Sequence, residues 1–218
     1  MPTAIIFDMD GVIIDSEPIH IESEKLAMQK FGVEISDDEL ATYTGKTAKF
    51  MFEDLIKRYK LGITPKELAD QKREFFMPAL TSKGEAVPGV IDLIHSLKAD
   101  GKLLAVGSSS RRGLIDFVLT KLDLTSYFDV IVSADDVTRS KPDPEIFTKA
   151  FLKLKEIDPT LNLEDCVVIE DSSAGITASN SAGIKCIGFQ NQNSNQDLSQ
   201  ATIIIDSMTK VLPSLKEM

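Results

Sequence analysis

Short apolar runs recur along the chain at residues 4–7, 103–106, 130–133, 167–169, 186–189 and 203–205. Each is mainly β-branched or aliphatic, and runs that are apolar without alternation predict strands buried on both faces. Segments of helical periodicity separate most of them. One opens near Pro88-Gly89 and stops at Gly101. A second has Asp143 as N-cap and Pro144 at its first position, where a missing N–H costs nothing. A third begins around Ser172-Ser173-Ala174 and ends at Gly183. This alternation predicts an α/β fold, a doubly wound parallel sheet with a Rossmann-like core.

The alternation stops between Glu17 and about Leu80, where only helical patterns occur. Ile19, Leu26 and Phe31 suit one helix. Ser36-Asp37-Asp38-Glu39 has the form of a capping box opening a second. Phe50, Phe52, Leu55, Ile56 and Tyr59 mark a third. Thr64-Pro65-Lys66-Glu67 is another capping box, opening a fourth that runs through Phe75 and Phe76. Thr81-Ser82-Lys83-Gly84-Glu85 reads as the return linker. The expected organisation is a catalytic core at 1–15 and 83–218 carrying an all-helical unit at 16–82. In open α/β sheets the active crevice lies at the carboxyl ends of the strands. An insert leaving directly after the first strand is therefore expected to act as a lid, hinged near Asp15-Ser16 and residues 82–85. The polar run Gln190-Asn191-Gln192-Asn193-Ser194-Asn195-Gln196 reads as a loop.

At 218 residues the chain suffices for one domain carrying a smaller one. With 43% hydrophobic and 27% charged residues it has the makings of a packed core. The formal net charge of -10 repels nucleic acid and anionic lipid, so neither is an expected partner. No apolar run approaches the ~20 residues of a membrane helix. Met1-Pro2-Thr3 offers no basic leader, so the expected location is cytoplasmic. Cys166 and Cys186 sit in apolar runs and are expected as buried, reduced thiols. Oligomeric state is left open, a monomer being compatible with everything above.

The ends of the expected strands carry the chemistry. The first closes on Asp8-Met9-Asp10-Gly11, the second on Gly107-Ser108-Ser109-Ser110. The third leads through Ala134-Asp135-Asp136 to Ser140-Lys141-Pro142, and the fourth ends in Glu170-Asp171. Acids so gathered repel one another unless a cation lies among them. Oxygen donors favour a hard cation, and Mg²⁺ characteristically takes one or two carboxylates together with a phosphate oxygen. The lysine and a serine suit the other phosphate oxygens. A carboxylate facing a neutralised phosphoryl group can attack it, and a second carboxyl can protonate the leaving oxygen.

Taken in order, Asp8-x-Asp10-Gly11, Ser108, Lys141-Pro142 and Glu170-Asp171 resemble the four motifs of haloacid dehalogenase-like hydrolases. The likeness covers the core from Ala4 to about Phe189. The helical insert resembles the cap of the phosphoglucomutase-like branch. Each motif alone is weak, but four in order, each after an expected strand, form a strong signature. The resemblance implies that Asp8 is the nucleophile and a metal ligand. Asp10 becomes the general acid/base, its backbone carbonyl also on the metal. Ser108 with neighbouring Ser109, and Lys141, would bind the transferring phosphoryl group. Asp171 would hold Mg²⁺, with Glu170 a ligand directly or through water.

Softer candidates surround these. Gly11 suits a tight turn. Asp135 and Asp136 read as loop acids or part of an acidic rim, and Arg111 and Arg112 as a solvated helix face or substrate contacts. His95 reads as an ordinary helix residue. In the helical unit His20, Lys46 and Lys49 are candidates for substrate contact, each also readable as a solvated residue. The expected reaction is phosphatase hydrolysis of a small phosphorylated metabolite such as a sugar phosphate, through an aspartyl phosphate. The alternative is a β-phosphoglucomutase-type transfer. Mutases of this branch carry an arginine just after a cap-loop glycine. Thr44-Gly45-Lys46-Thr47-Ala48-Lys49 has lysines instead, which cannot fork onto a phosphate. A receiver-type signalling module shares clustered acids and a lysine, but in another order and without a helical insert. No Gly-x-x-x-x-Gly-Lys-Ser/Thr or Gly-x-Gly-x-x-Gly points to nucleotide binding.

Overall fold

The computed structural model describes residues 1–43, 47–191 and 196–218. They divide into two compact units, Met1–Asp15 with Glu85–Met218, and Ser16–Gly84.

In the larger unit, strands β1 (Ala4–Phe7), β2 (Leu103–Gly107), β3 (Val130–Val132), β4 (Cys166–Glu170), β5 (Lys185–Phe189) and β6 (Ile203–Ile205) form one sheet. Its order is β3-β2-β1-β4-β5-β6 and every pairing is parallel. The first strand in sequence thus lies inside the sheet, and the chain order reverses around it, the topological position where such sheets bind ligands. Ala4, Ile5, Ile6 and Phe7 are each 0% exposed, which explains a strand with no polar alternation. Ile6, Ala105 and Val168 pack in one cluster with Ile146, Phe147, Ala150 and Leu154 of a helix at Glu145–Ile157. Other helices of this unit span Val90–Ala99, Arg112–Lys121, Ser173–Ser181 and Val211–Leu215.

The expected strands are all present; β2, β4 and β5 gain a residue at one or both ends where backbone pairing outlasts the apolar run, whereas β3 stops at Val132, one residue short, because Ser133 bonds instead to Asp136 in the following turn. The helix expected at Pro144 starts at Glu145 instead. Asp143 does not cap it as an N-cap; its Oδ1 accepts from Glu145 N at 3.0 Å, the local turn favoured by aspartate, which leaves Pro144 at the cap. Cys166 and Cys186 are free and buried, and burial pushes the Cys166 thiol up to about 12. Among the described residues no helix is long and apolar enough to cross a membrane.

The smaller unit is helical: α1 (Glu17–Lys30), α2 (Asp37–Ala41), α3 (Ala48–Arg58) and α4 (Pro65–Lys83). Ala27, Met28, Leu40, Phe52, Leu55 and Leu68 form its core. The Thr64 capping box is complete: Glu67 N donates to Thr64 Oγ1 and Thr64 N to Glu67 Oε2. At Ser36 only half a box forms. Glu39 N donates to Ser36 Oγ, but the Glu39 carboxylate is held by Arg58 and Tyr59. Phe50, expected inside, is 49% exposed, and Leu26 is only half-buried. The expected linker residues Thr81, Ser82 and Lys83 are helical. Thr81 and Ser82 satisfy their hydroxyls on the carbonyls of Met77 and Pro78, so polar composition does not end the helix.

Candidate active site

Sheet register aligns the strand ends. Phe7 stands opposite both Val106 and Ile169, so the residues just beyond converge. Asp8 N donates to Ile169 O, and Ser108 N to Val132 O. Lys141, on the loop between β3 and the Glu145 helix, reaches the same point. Its Nζ donates to Asp8 Oδ1 and Glu170 Oε1, each at 2.7 Å. Lys141, Asp8 and Glu170 side chains are only 7%, 10% and 0% exposed, so these ion pairs are barely screened. The ammonium also lies 4.7 Å from the centroid of the Phe147 ring. A Cβ on Gly107 would stand 3.1 Å from that ring, so the glycine at the end of β2 makes room for it. The Lys141–Pro142 peptide is cis.

Glu170 is held at both oxygens. Its Oε2 accepts from Ser172 N at 2.8 Å and Ser172 Oγ at 2.9 Å, while Ser172 Oγ caps the following helix by accepting from Gly175 N. A Cβ on Gly175 would lie 1.7 Å from Glu170 Oε1, so this position must be glycine. Asp171 is seated similarly. Gly11 has φ +76, and a Cβ there would meet Asp171 Oδ2 at 2.0 Å. The Gly11 carbonyl accepts from Asn191 Nδ2 at 3.1 Å.

Among the described residues, four acids, Asp8, Asp10, Glu170 and Asp171, share this region with one lysine. Burial, and repulsion by Glu170 and Asp10, raise the Asp8 carboxyl to about 7 against the pull of Lys141. Burial, then repulsion by Glu170 and Asp8, raise Asp171. Burial works to lower Lys141, but attraction to Asp8 and Glu170 outweighs it and the net shift is upward. Excess negative charge in a dry site is what a dication relieves. Ligand oxygens of Asp8, Glu170 and Asp171 all lie within 4.8 Å of one another. Hard oxygen donors at that spacing fit Mg²⁺.

Ser108 is 1% exposed, and its Oγ accepts from Ser110 N at 3.0 Å. An accepting hydroxyl still has its own proton to donate. Ser109 is exposed, whereas Ser110 Oγ donates to Asp10 Oδ2 at 2.9 Å. The softer candidates take structural parts. Asp135 accepts from Arg112 N. Asp136 closes a turn on Ser133, whose hydrogen bonds hold its carboxyl below the usual range. Arg112 pairs with Asp116, and His95 stacks on Tyr127. In the helical unit, His20 stacks on Phe76 with centroids 4.4 Å apart. Lys49 is 81% exposed, 3.9 Å from Glu53. Lys46 lies outside the described residues.

Ser110, Ser172, Gly175 and Asn191 support the site without a motif of their own in the sequence. Ser172 was visible only as a helix start, and Ser110 only as the third of three serines. Asn191 carries no signal in its local sequence, because its partner Gly11 is far along the chain.

Residues 5–189 match the family model described as haloacid dehalogenase-like hydrolase. The validoxylamine A 7'-phosphate phosphatase of Streptomyces hygroscopicus subsp. limoneus is 31% identical, with 94% of each chain covered. The fructose-1-phosphate phosphatase of Escherichia coli (strain K12) is 30% identical over 84% of this chain and 94% of its own. A solved structure of β-phosphoglucomutase from Clostridium difficile aligns with a TM-score of 0.78 at 26% identity, covering 100% of this chain and 96% of that one. With its motifs gathered at the strand ends and the family match spanning most of its length, the chain belongs to the haloacid dehalogenase-like hydrolases.

Proposed function

We propose that this protein is a Mg²⁺-dependent phosphatase that hydrolyses a small phosphorylated metabolite, a sugar phosphate, through an aspartyl phosphate. The observation that carries the reading is the buried Lys141 bridging Asp8 and Glu170, with the buried Ser108 just past the end of β2, the strand paired with β1; together they offer an ammonium and a hydroxyl to phosphoryl oxygens beside a carboxylate. The phosphatases related to this chain, named for fructose 1-phosphate and validoxylamine A 7'-phosphate, support the substrate class.

The Ser108 hydroxyl and the Lys141 ammonium bind oxygens of the phosphoryl group. The Asp8 carboxylate attacks phosphorus, so that an Asp8 O–P bond forms as the ester P–O bond breaks. Asp10 gives its proton to the departing ester oxygen. Asp10, now a base, takes a proton from water as that water attacks the same phosphorus. The Asp8 O–P bond breaks, and inorganic phosphate leaves. Mg²⁺, held by Asp8, Asp171, Glu170 and the Asp10 carbonyl, would supply charge neutralisation on the phosphoryl oxygens. Selection among substrates is assigned to the helical unit at Ser16–Gly84, with His20, Lys46 and Lys49 its candidate contacts.

The likeness to a β-phosphoglucomutase structure favours a second reading, transfer to a second sugar hydroxyl. One assay separates them: incubation with β-glucose 1-phosphate, a trace of the 1,6-bisphosphate and Mg²⁺, following free phosphate and glucose 6-phosphate. It is run beside a phosphate-release screen of sugar phosphates. Phosphate release without isomer is expected; fast isomer formation with little free phosphate would replace the phosphatase by the mutase.

A further inference from the structure

We propose that Ser110 is a positioning residue for Asp10, fixing the orientation in which the acid delivers its proton; this rests on the phosphatase reading above. Three hydrogen bonds carry the inference. Ser110 N donates to Ser108 Oγ at 3.0 Å, and Ser110 O accepts from Ala134 N at 2.9 Å. The backbone of Ser110 is therefore tied both to the phosphoryl-binding serine and to the segment after β3. From that fixed point the Ser110 hydroxyl donates to Asp10 Oδ2 at 2.9 Å, across 100 residues of sequence. Ser109 between them is exposed, so the serine run alternates between facing the site and facing away.

The terminal torsion of an aspartate is broad, and one bond to one oxygen narrows it. A hydroxyl donating to Oδ2 sets the plane of the carboxyl group from which the proposed proton transfer takes place. In the first half-reaction the proton passes to the ester oxygen as the Asp8 O–P bond forms and the ester P–O bond breaks. In the second, the Asp10 carboxylate takes a proton from the attacking water, and the Asp8 O–P bond breaks to release phosphate. The geometry separates this task from phosphoryl binding, because Ser108 is held by the backbone N–H of Ser110 and not by its side chain. Removing the hydroxyl leaves that N–H in place.

The test compares Ser110→Thr with Ser110→Val, which match in shape and differ in the hydroxyl, together with Ser110→Ala. Each is assayed for kcat/KM on fructose 1-phosphate or another sugar phosphate that the wild type hydrolyses, and on p-nitrophenyl phosphate. Nitrophenolate leaves without a proton, and kcat/KM reports only steps up to the first bond cleavage. For Val and Ala we expect the sugar phosphate to lose about 10–100-fold, at least about tenfold more than the aryl phosphate loses, with Thr restoring most of the loss. Equal losses on both esters would overturn the inference and assign Ser110 to phosphoryl binding or folding. Loss in neither, or Thr behaving as Val, would also overturn it. A wild type that releases phosphate from neither ester would overturn the phosphatase reading itself, and this inference with it.

Discussion

Each unit of this protein holds a largely buried lysine against carboxylate, one partner in the helical unit and two in the core. In the helical unit Lys72 meets Glu24 at 2.5 Å with both side chains at 13% and 12% exposure, joining α4 to α1. Lys72 also lies 5.9 Å from the Phe52 ring. One cation answers one anion, which is how a buried pair serves packing. In the core, Lys141 answers Asp8 and Glu170, with Asp10 and Asp171 also pressing on the same site. A surplus of buried acid over base has no packing purpose. It raises the carboxyls it contains, and it is the charge pattern on which the proposed cation and phosphate site rests.

The largest effects should come from removing the surplus acids that act. Asp8→Asn is expected to lower Mg²⁺-dependent turnover by about 10⁴-fold or more while leaving circular dichroism unchanged. Turnover near the wild-type rate would remove Asp8 from the nucleophile role. Asp10→Asn is expected to cost about 10²–10⁴-fold on a sugar phosphate. It should spare part of the burst of aspartyl phosphate from an aryl phosphate, which a quench with radiolabelled substrate would detect.

Breaking the balanced pair should instead harm folding. Lys72→Ala leaves Glu24 nearly buried without its cation, at a cost between those of exposed and fully buried pairs, about 2 kcal/mol. Thermal melts should show a midpoint about 4–8 °C lower. The double variant Lys72→Met with Glu24→Leu should recover most of it, since apolar replacements of a buried pair are often neutral. Failure of the double variant to recover would mean that the pair does more than join two helices.

The unbalanced cluster makes the opposite prediction for stability. Asp171 is raised above its ordinary 3.8, and Asp8 to about 7. A carboxyl with a raised folded pKa keeps its proton in the fold after the unfolded chain has released it. The unfolded state then binds fewer protons, so this contribution to stability falls as pH climbs from about 4 through the raised folded values. In chelator, Asp171→Asn should flatten that decline and raise the midpoint near neutral pH by about 2–4 °C, on the order of 1 kcal/mol. The proposed site requires Mg²⁺ to raise the wild-type midpoint, and the same variant should lose that rise. A lower midpoint for Asp171→Asn in chelator would show that the fold already satisfies this charge.

What was legible in the sequence follows the same division. Strands such as Ala4–Phe7 declared themselves because burial on both faces leaves an unbroken apolar run. The motif acids were legible because each ends such a run. Thr64 announced its helix because a complete capping box is local. The supports were hidden because they are long-range: Ser110 to Asp10, and Asn191 to Gly11. Ser36 misled where a distant partner took Glu39, and Thr81-Ser82 misled where helical back-bonding absorbed polar side chains. Polar composition gave a turn signal that tertiary context overrode.

The smallest expected effect lies at Lys49, and it tests whether the helical unit selects substrate by charge. The side chain is 81% exposed and 3.9 Å from Glu53, an i,i+4 contact worth about 0.2–0.5 kcal/mol at most. Lys49 also occupies the first turn of α3, where a cation is unfavourable by about 0.3–1 kcal/mol. These terms nearly cancel, so Lys49→Ala should leave the thermal midpoint within about 1 °C of wild type. Any kinetic change then reports on substrate and not on folding. If Lys49 attracts a sugar phosphate, its removal should raise KM about 3–10-fold, roughly 1 kcal/mol of binding, with kcat held. A small aryl phosphate, which offers the helical unit less to recognise, should show less than half that change on a logarithmic scale. Unchanged KM for both would make Lys49 a solvated lysine. An equal rise for both would point to general attraction of anions, which added salt should abolish.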